Sequence, residues 1–89
     1  MYEVELTSRA QREFNKLSLI DQDRIEAALD SLRANPRPPG TRKIYGNTFR
    51  IREGDWRIIY AVFDKNNLVL VGRIARRSEN TYDRVKYLF

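Results

Sequence analysis

Apolar residues recur at helical spacing in the first third of the chain. A short alternating segment, Tyr2 to Leu6, predicts a strand, and two runs with a period of about 3.6 residues follow it. The apolar positions of these runs are Ala10, Phe14 and Leu17, then Ile25, Ala28, Leu29 and Leu32. Thr7 and Ser18 are N-cap residue types that precede the runs, and Asn35-Pro36 ends the second one. The pattern therefore predicts a strand followed by two amphipathic helices.

The middle of the chain alternates polar and apolar residues with a period of two, which predicts β-strands. Two such runs, Phe49 to Glu53 and Trp56 to Tyr60, flank Gly54-Asp55, a dipeptide suited to a two-residue hairpin turn with glycine at positive φ. A turn at residues 64–67 separates this hairpin from a further apolar strand, Leu68 to Ala75.

Shorter segments complete the order of elements. The connection from Asn35 to Asn47 contains prolines and glycines and includes a brief edge strand at Lys43 to Tyr45. Ser78 is a suitable cap for a last short helix that contains Tyr82 and Phe89. The predicted order is β-α-α-β-β-β-α, with the second strand region split in two if the edge strand forms.

These elements predict an α+β fold in a single domain that covers residues 1–89. Helices that precede a run of hairpin-connected strands favour two N-terminal helices packed on one face of a small, mainly antiparallel β-sheet. A chain of 89 residues leaves no room for a second domain. The other face of the hairpin is then expected to stay open.

The hairpin turn also predicts which side chains share a face. Counting from the turn places Arg52 opposite Arg57, and directly paired residues point to the same side of a sheet. One face then carries Phe49, Ile51, Trp56, Ile58 and Tyr60, and the other carries Arg50, Arg52 and Arg57. Like charges directly opposite each other destabilise a sheet by roughly 0.2–1 kcal/mol. We interpret the arginines as an anion-binding surface, with a merely solvated sheet face as the alternative.

Charge is unevenly distributed along the chain, whose net charge is +5. Residues 1–32 hold 4 Lys and Arg against 7 Asp and Glu, a net charge of −3, whereas residues 33–89 hold 13 against 5, a net charge of +8. This asymmetry indicates a polyanionic partner, either a nucleic acid or an acidic protein.

The chain has no cysteine and no histidine. Disulfides and thiolate metal sites are therefore excluded, the commonest general base is missing, and no metal or other cofactor is expected. Glu3 and Glu5 interrupt any signal-peptide pattern, and no run approaches the roughly 20 apolar residues of a membrane span. We expect a cytoplasmic protein with no membrane partner.

Two segments, "NPRPPGTRKIYGNTFRIREGDWRIIYAVFD" and "IARRSENTY", resemble the RelE/ParE superfamily of bacterial toxins from type II toxin–antitoxin systems, and the RelE-like branch in particular. The resemblance covers nearly the whole chain. It implies a compact sheet with two N-terminal helices and neutralisation by a cognate antitoxin. For the RelE branch it also implies endoribonuclease cleavage of mRNA, usually in the ribosomal A site.

Metal-independent RNA cleavage requires a proton acceptor for the attacking 2′-hydroxyl, cations for the phosphate and a proton donor for the departing 5′-oxygen. The planar fork of arginine binds phosphate bidentately and stays charged, so we expect Arg50, Arg52 and Arg57 to hold the scissile phosphate. The resemblance implies that Arg77 protonates the leaving group. Tyr82 is expected to orient or deprotonate the 2′-hydroxyl, with base stacking and a place in the core as alternatives.

Further substrate contacts are expected from Arg42, Lys43 and Arg76. Alternation along the last strand predicts that Val71, Arg73 and Ala75 point one way and that Gly72, Ile74 and Arg76 point the other. Arg76 and Arg77 then leave the strand end in different directions, so that one of them reaches the phosphate.

Two departures from well-known relatives affect the catalytic interpretation. Relatives often have lysines where Arg50 and Arg52 stand, and many have a histidine where this chain has Ala75 or Arg76. Arginine is a poor base because its pKa exceeds about 12. The proton acceptor is then Tyr82, Lys43 or a substrate group, or the protein cleaves slowly or not at all.

Two other functions are compatible with the same sequence. The ParE side of the superfamily shares the fold but inhibits DNA gyrase by protein contact and lacks this arginine set. A basic RNA-binding or ribosome-binding module without catalysis needs only the charge asymmetry. In each toxin interpretation we expect an antitoxin with an acidic, amphipathic segment that covers the hairpin arginines, and contact with operator DNA only through the antitoxin complex.

Overall fold

The computed structural model describes residues 1–77, which form a five-stranded sheet with two α-helices. The elements are β1 (Glu3–Leu6), α1 (Ser8–Asn15), α2 (Leu19–Ala34), β2 (Arg42–Tyr45), β3 (Thr48–Glu53), β4 (Trp56–Phe63) and β5 (Leu68–Arg76). The spatial order is β1-β5-β4-β3-β2, and β1 is parallel to β5 while the other pairs are antiparallel. The predicted α+β fold is confirmed, and the predicted C-terminal helix lies outside the described residues.

The two helices begin at the predicted caps. The Thr7 hydroxyl oxygen accepts a hydrogen bond from the Ala10 amide at 3.2 Å, and the Ser18 hydroxyl oxygen accepts one from the Asp21 amide at 3.2 Å. Each contact satisfies one of the backbone donors that a helix N-terminus leaves unpaired. Neither helix in residues 1–77 is long and apolar enough to cross a lipid bilayer.

The hydrophobic core lies between the helices and one face of the sheet. The helices contribute Ala10, Ile25, Ala28, Leu29 and Leu32, and the strands contribute Phe49, Ile58, Tyr60, Val62, Val69, Val71 and Ile74. The predicted apolar face of the hairpin is thus the face that the helices cover.

The strict alternation predicted for β5 is wrong at Gly72. Tyr60 pairs with Val71 while its neighbour Ile59 pairs with Arg73, so Gly72 is an extra residue on β5. Such a bulge shifts the alternation of side chains by one position. Val71 therefore packs in the core, whereas Arg73 shares the opposite face of the sheet with Ile59.

Helix α1 replaces β1 as the neighbour of the second half of β5. The pairing of β1 with β5 ends where Leu6 meets Val71. Beyond that point the Glu13 carboxylate accepts the Ile74 amide at 2.9 Å and the Arg73 Nε at 3.0 Å. The Glu13 side chain thus satisfies a backbone donor of β5 where β1 no longer pairs with it.

Candidate anion-binding site

The β3–β4 hairpin has the register predicted from its turn. Arg52 pairs with Arg57, Ile51 pairs with Ile58, and Arg50 pairs with Ile59. Gly54 adopts a φ of +58° at the first turn position, a conformation that glycine reaches without steric cost. The predicted division of the hairpin into an apolar face and an arginine-bearing face is therefore confirmed.

Strand β2 adds a fourth arginine to that face. Arg42 pairs directly with Arg50, as Arg52 does with Arg57, and directly paired residues share a side of the sheet. We call the set of Arg42, Arg50, Arg52 and Arg57 the arginine face. It contains two cross-strand pairs of like charge, an arrangement that opposes folding.

The expectation of an open arginine face is wrong at Arg50. Arg42 and Arg52 are exposed and Arg57 is half-buried, but only 7% of Arg50 is exposed. Arg50 lies on a strand with neighbours on both sides, and its partners Arg42 and Ile59 flank its aliphatic stem.

Within residues 1–77, the Arg50 guanidinium has no hydrogen-bond acceptor and no carboxylate partner. Charged side chains are rarely buried unless they are paired, because removing an ion from water costs several kcal/mol. An oxyanion is the chemical group that would pair with this charge in the cavities that Arg50 lines.

Two cavities meet at Arg50. A groove of about 540 Å³ is lined by Pro39, Gly40, Arg42, Arg50, Ile51, Arg52 and Glu53. A smaller cavity of about 220 Å³ lies between Arg42, Lys43, Ile44 and Arg50. Because Arg42 and Arg50 line both spaces, their guanidinium groups are available to an anionic ligand that extends beyond a single phosphate.

The structure does not bring all predicted site residues together. Arg76 pairs with Trp56, and its guanidinium lies 4.8 Å from the centre of the indole ring, on the helix-covered side of the sheet. Lys43 pairs with Phe49 and so belongs to that side as well, although it lines the smaller cavity. The register of β5 and β2 therefore places Arg76 and Lys43 on the side of the sheet opposite the arginine face.

The end of β5 approaches the hairpin turn. The Arg77 amide donates to the Asp55 carbonyl oxygen at 2.9 Å, and the Arg77 side chain is exposed. Arg77 thus lies next to the hairpin turn, whose register places Arg50, Arg52 and Arg57 on one face. Tyr82 lies outside the described residues.

The sequence interpretation missed one arginine on this side of the sheet. Arg73 pairs with Ile59, the residue that also pairs with Arg50, and its Nε lies 3.0 Å from the Glu13 carboxylate. Glycine inside a strand is a signal for a bulge, and placing one at Gly72 would have moved Arg73 to the arginine face.

Comparison with known proteins agrees with this architecture. A family model described as "ParE toxin of type II toxin-antitoxin system, parDE" matches residues 4–81. No functionally curated protein matches the chain in a full-sequence search.

Several solved structures share the fold. The isolated RelE toxin of E. coli superposes with a TM-score of 0.79 at 19% identity, covering 100% of both chains. A chain of the archaeal RelE–RelB complex from Pyrococcus horikoshii OT3 gives a TM-score of 0.76 at 22% identity, over 89% of this chain and 98% of that one. A chain of the RelBE2 toxin–antitoxin complex from Mycobacterium tuberculosis gives 0.76 at 24% identity, over 85% and 98%.

Proposed function

The chain belongs to the ParE toxin family of type II toxin–antitoxin systems, and we propose, from its arginine face, that it is an mRNA interferase, an endoribonuclease that acts on translated mRNA. Family membership establishes a toxin within the RelE/ParE superfamily. The arginine face supports the RNA-cleaving branch because it offers several phosphate-binding groups on one surface.

The proposed reaction is attack of an RNA 2′-hydroxyl on the adjacent phosphorus. The bond from the 2′-oxygen to phosphorus forms, the bond to the 5′-oxygen breaks, and the products end in a 2′,3′-cyclic phosphate and a 5′-hydroxyl. Negative charge grows on the phosphate oxygens in the transition state, where fixed guanidinium groups stabilise it. Arg50, Arg52 and Arg57 are assigned this role.

Proton transfer is assigned to residues at the C-terminal end of the chain. Tyr82 is proposed to accept the proton of the 2′-hydroxyl, and Arg77, which stands beside the hairpin turn, to donate one to the departing 5′-oxygen. A tyrosine acts as a base when neighbouring cations favour its deprotonated form. The proposal assigns this effect on Tyr82 to cations of the arginine face.

The buried Arg50 is the observation that carries the proposal. Its charge has no partner within residues 1–77, and it lines both cavities of the site. Arg50 is mostly buried, yet it lines both cavities, so a phosphate bound there would pair with a guanidinium that has little other exposure to water. A phosphate ligand explains why the charge is kept there.

The proposed protein partner is an antitoxin. The chains from Pyrococcus horikoshii and Mycobacterium tuberculosis were solved in toxin–antitoxin complexes. We propose that an acidic, amphipathic antitoxin segment covers the arginine face, and that this chain meets operator DNA only through that complex. The proposed site of action is the ribosome in the cytoplasm.

Inhibition of DNA gyrase is the second candidate, because the matching family is described as the ParE toxin. This function uses protein contact and predicts no RNA cleavage. Non-catalytic binding to RNA or the ribosome is a third function, consistent with the basic charge of residues 33–89.

Expression in cells without an antitoxin distinguishes these functions. We expect growth arrest together with new mRNA 5′ ends in translated regions, and no increase in gyrase-linked DNA breaks. Intact mRNA with gyrase-linked breaks would assign the protein to the ParE mechanism. Ribosome binding without new 5′ ends or DNA breaks would indicate a non-catalytic binding module.

Arg12→Ala, which removes an exposed arginine from α1, is the matched control for variants of the arginine face.

A further inference from the structure

The loop between α2 and β2 is fastened to the far end of the β3–β4 hairpin. Arg37 donates two hydrogen bonds to the Asp64 carboxylate, at 3.3 Å from Nη1 and 2.8 Å from Nη2. The Tyr2 hydroxyl donates to the same carboxylate at 2.6 Å, and the Arg37 guanidinium lies 5.2 Å from the centre of the Phe49 ring. We call these four residues the loop clamp.

The buried Tyr60 holds the same loop through its hydroxyl group. The Tyr60 hydroxyl donates to the Pro36 carbonyl oxygen at 2.7 Å and lies 3.4 Å from the Thr41 hydroxyl. Burial raises the pKa of Tyr60, so the phenol remains protonated and able to donate. The loop is therefore held at Pro36, Arg37 and Thr41.

The fastened loop forms one wall of the anion groove. Pro39 and Gly40 line the groove directly, and Arg42 begins β2 immediately after the loop. Phe49, which lies under Arg37, is the residue before Arg50 on β3. The loop clamp thus contains the residue before Arg50, and its Arg37 lies on the loop that leads into Arg42.

Charge repulsion acts against the position of Arg42. Arg42 is directly opposite Arg50, and like charges in that arrangement repel each other. Arg42 is also the first residue of an edge strand of only four residues, which gives it few backbone contacts. Without a fixed loop, repulsion would move Arg42 away from Arg50 and open the groove.

We infer that the Arg37–Asp64 pair is a positioning device that holds Arg42 and the Pro39–Gly40 wall for binding of an RNA phosphate backbone. This inference rests on the proposed function. Arg37 and Asp64 do not line the groove and act only through the loop. The pair is exposed, with 42% and 57% of the side chains accessible, and exposed ion pairs contribute little to global stability. Its removal should therefore change the groove more than the fold.

The matched variants are Asp64→Asn and Asp30→Asn. Both remove one negative charge and one exposed Arg–Asp pair, since Asp30 is bridged to Arg33 at 3.3 Å in α2, away from the groove. Asp64→Glu is the conservative variant, which keeps a carboxylate for Arg37. Fluorescence of Trp56, the single tryptophan, shows by thermal melting that each variant is folded at the assay temperature.

The measurement is the affinity for a fully 2′-O-methylated single-stranded RNA 10-mer, which cannot be cleaved, at several salt concentrations. Loss of one phosphate contact lowers the slope of log K against log [salt] by about 0.7 for single strands. We expect Asp64→Asn to show that smaller slope and about three- to tenfold weaker binding at low salt. Asp30→Asn should match the parent, and Asp64→Glu should recover part of the affinity.

Parental slope and affinity in Asp64→Asn would overturn the positioning role while leaving the proposed function in place. Equal losses in Asp64→Asn and Asp30→Asn would also overturn it, because the effect would then be one of net charge. A parent protein without measurable binding to this RNA would overturn the inference that the loop serves a phosphate-binding groove, whereas the proposed function is overturned separately by the absence of new mRNA 5′ ends in cells.

Discussion

The two faces of the β3–β4 hairpin are built from alternate residues of the same strands and have opposite properties. On the helix-covered face, Ile58 and Tyr60 are completely buried and Phe49 is nearly so. On the arginine face, two pairs of like charge lie directly opposite each other. The helix-covered face stabilises the hairpin, whereas the other face combines like-charged pairs that oppose folding with the completely buried Ile59.

The magnitudes explain how one hairpin accommodates both faces. Fully burying a large apolar side chain contributes about 1.5–3 kcal/mol, whereas a like-charged cross-strand pair costs roughly 0.2–1 kcal/mol. The apolar residues of one face therefore outweigh the repulsion on the other. The helix-covered side chains and the four arginines therefore differ in what they contribute, stability in one case and ligand binding in the other, and substitutions in the two sets test that difference.

The largest effect is expected on the helix-covered face. Ile58→Ala removes a completely buried side chain from the core and should lower the free energy of unfolding by about 2–5 kcal/mol. Urea unfolding followed by Trp56 fluorescence measures the loss. The folded fraction should still cleave RNA at the parental rate. A change in rate without a change in stability would show that the faces are not separate.

The neighbouring residue on the arginine face should behave in the opposite way. Arg57→Ala removes a donor to the transition-state phosphate and should reduce the single-turnover cleavage rate by about 10²–10³-fold. Its free energy of unfolding should stay within about 1 kcal/mol of the parental value because a like-charged pair is also removed. If ribosome binding and cleavage decline to the same extent, the residue serves binding alone.

Two arginines of the same face differ in burial and so allow a finer comparison. Arg50→Met replaces a mostly buried guanidinium, which has no ion-pair partner within residues 1–77, by an apolar side chain and should raise the free energy of unfolding by about 1–3 kcal/mol. Arg52→Met, at an exposed position, should change stability by less than about 0.5 kcal/mol.

Both methionine variants should bind the methylated RNA more weakly than the parent. Arg12→Ala should bind as the parent does, because it lies on α1. Destabilisation in Arg50→Met would mean that the guanidinium supports the unliganded fold, and the phosphate would no longer explain its burial.

The separation of the two faces was predictable from the sequence because it depends on local rules. Gly54-Asp55 specifies a two-residue turn, and alternation then assigns every hairpin residue to a side. The helix starts at Thr7 and Ser18 are equally local, since each cap bonds an amide three residues away. These features need no knowledge of distant contacts.

The details of the anion site were not predictable in this way because distant segments determine them. Arg50 lies between β4 and β2, and the hairpin turn gives no information on β2, a short edge strand with an irregular register. The bulge at Gly72 is defined only by the pairing of β5 with β4. Asp64 joins residues 27 and 62 positions away along the chain, and no spacing rule connects such residues.

Substitution of Gly54 tests whether the turn conformation determines the register of the hairpin. Gly54→Ala places a side chain at a φ of +58° and should cost about 1–2 kcal/mol of stability. The new Cβ would lie 3.4 Å from the Arg24 Nη1, the end of a flexible side chain that can move aside. Asp55→Ala is the control, because Asp55 does not have positive φ. RNA affinity of the folded variant should be parental, and a loss of affinity would indicate a shifted register.

The smallest expected effect concerns pH and the loop clamp, which lies on the helix-covered side and serves the arginine face. The hydrogen bonds from Arg37, followed by the one from Tyr2, hold the pKa of Asp64 below its ordinary value of 3.8. A group whose pKa is lower in the folded state contributes stability above its unfolded pKa, and the contribution disappears as the pH falls through the folded pKa. The difference in melting temperature between the parent and Asp64→Asn should therefore be constant between about pH 5 and pH 8 and shrink below about pH 4. Tyr2 does not titrate in this pH range, because the same hydrogen bond to Asp64 raises the pKa of its hydroxyl from the ordinary value of 10.0.

A difference in melting temperature that persists undiminished in acid would show that Asp64 holds the loop by its shape and not by its charge. The packing of Arg37 on Phe49 would then be the contact that connects the loop clamp to the arginine face.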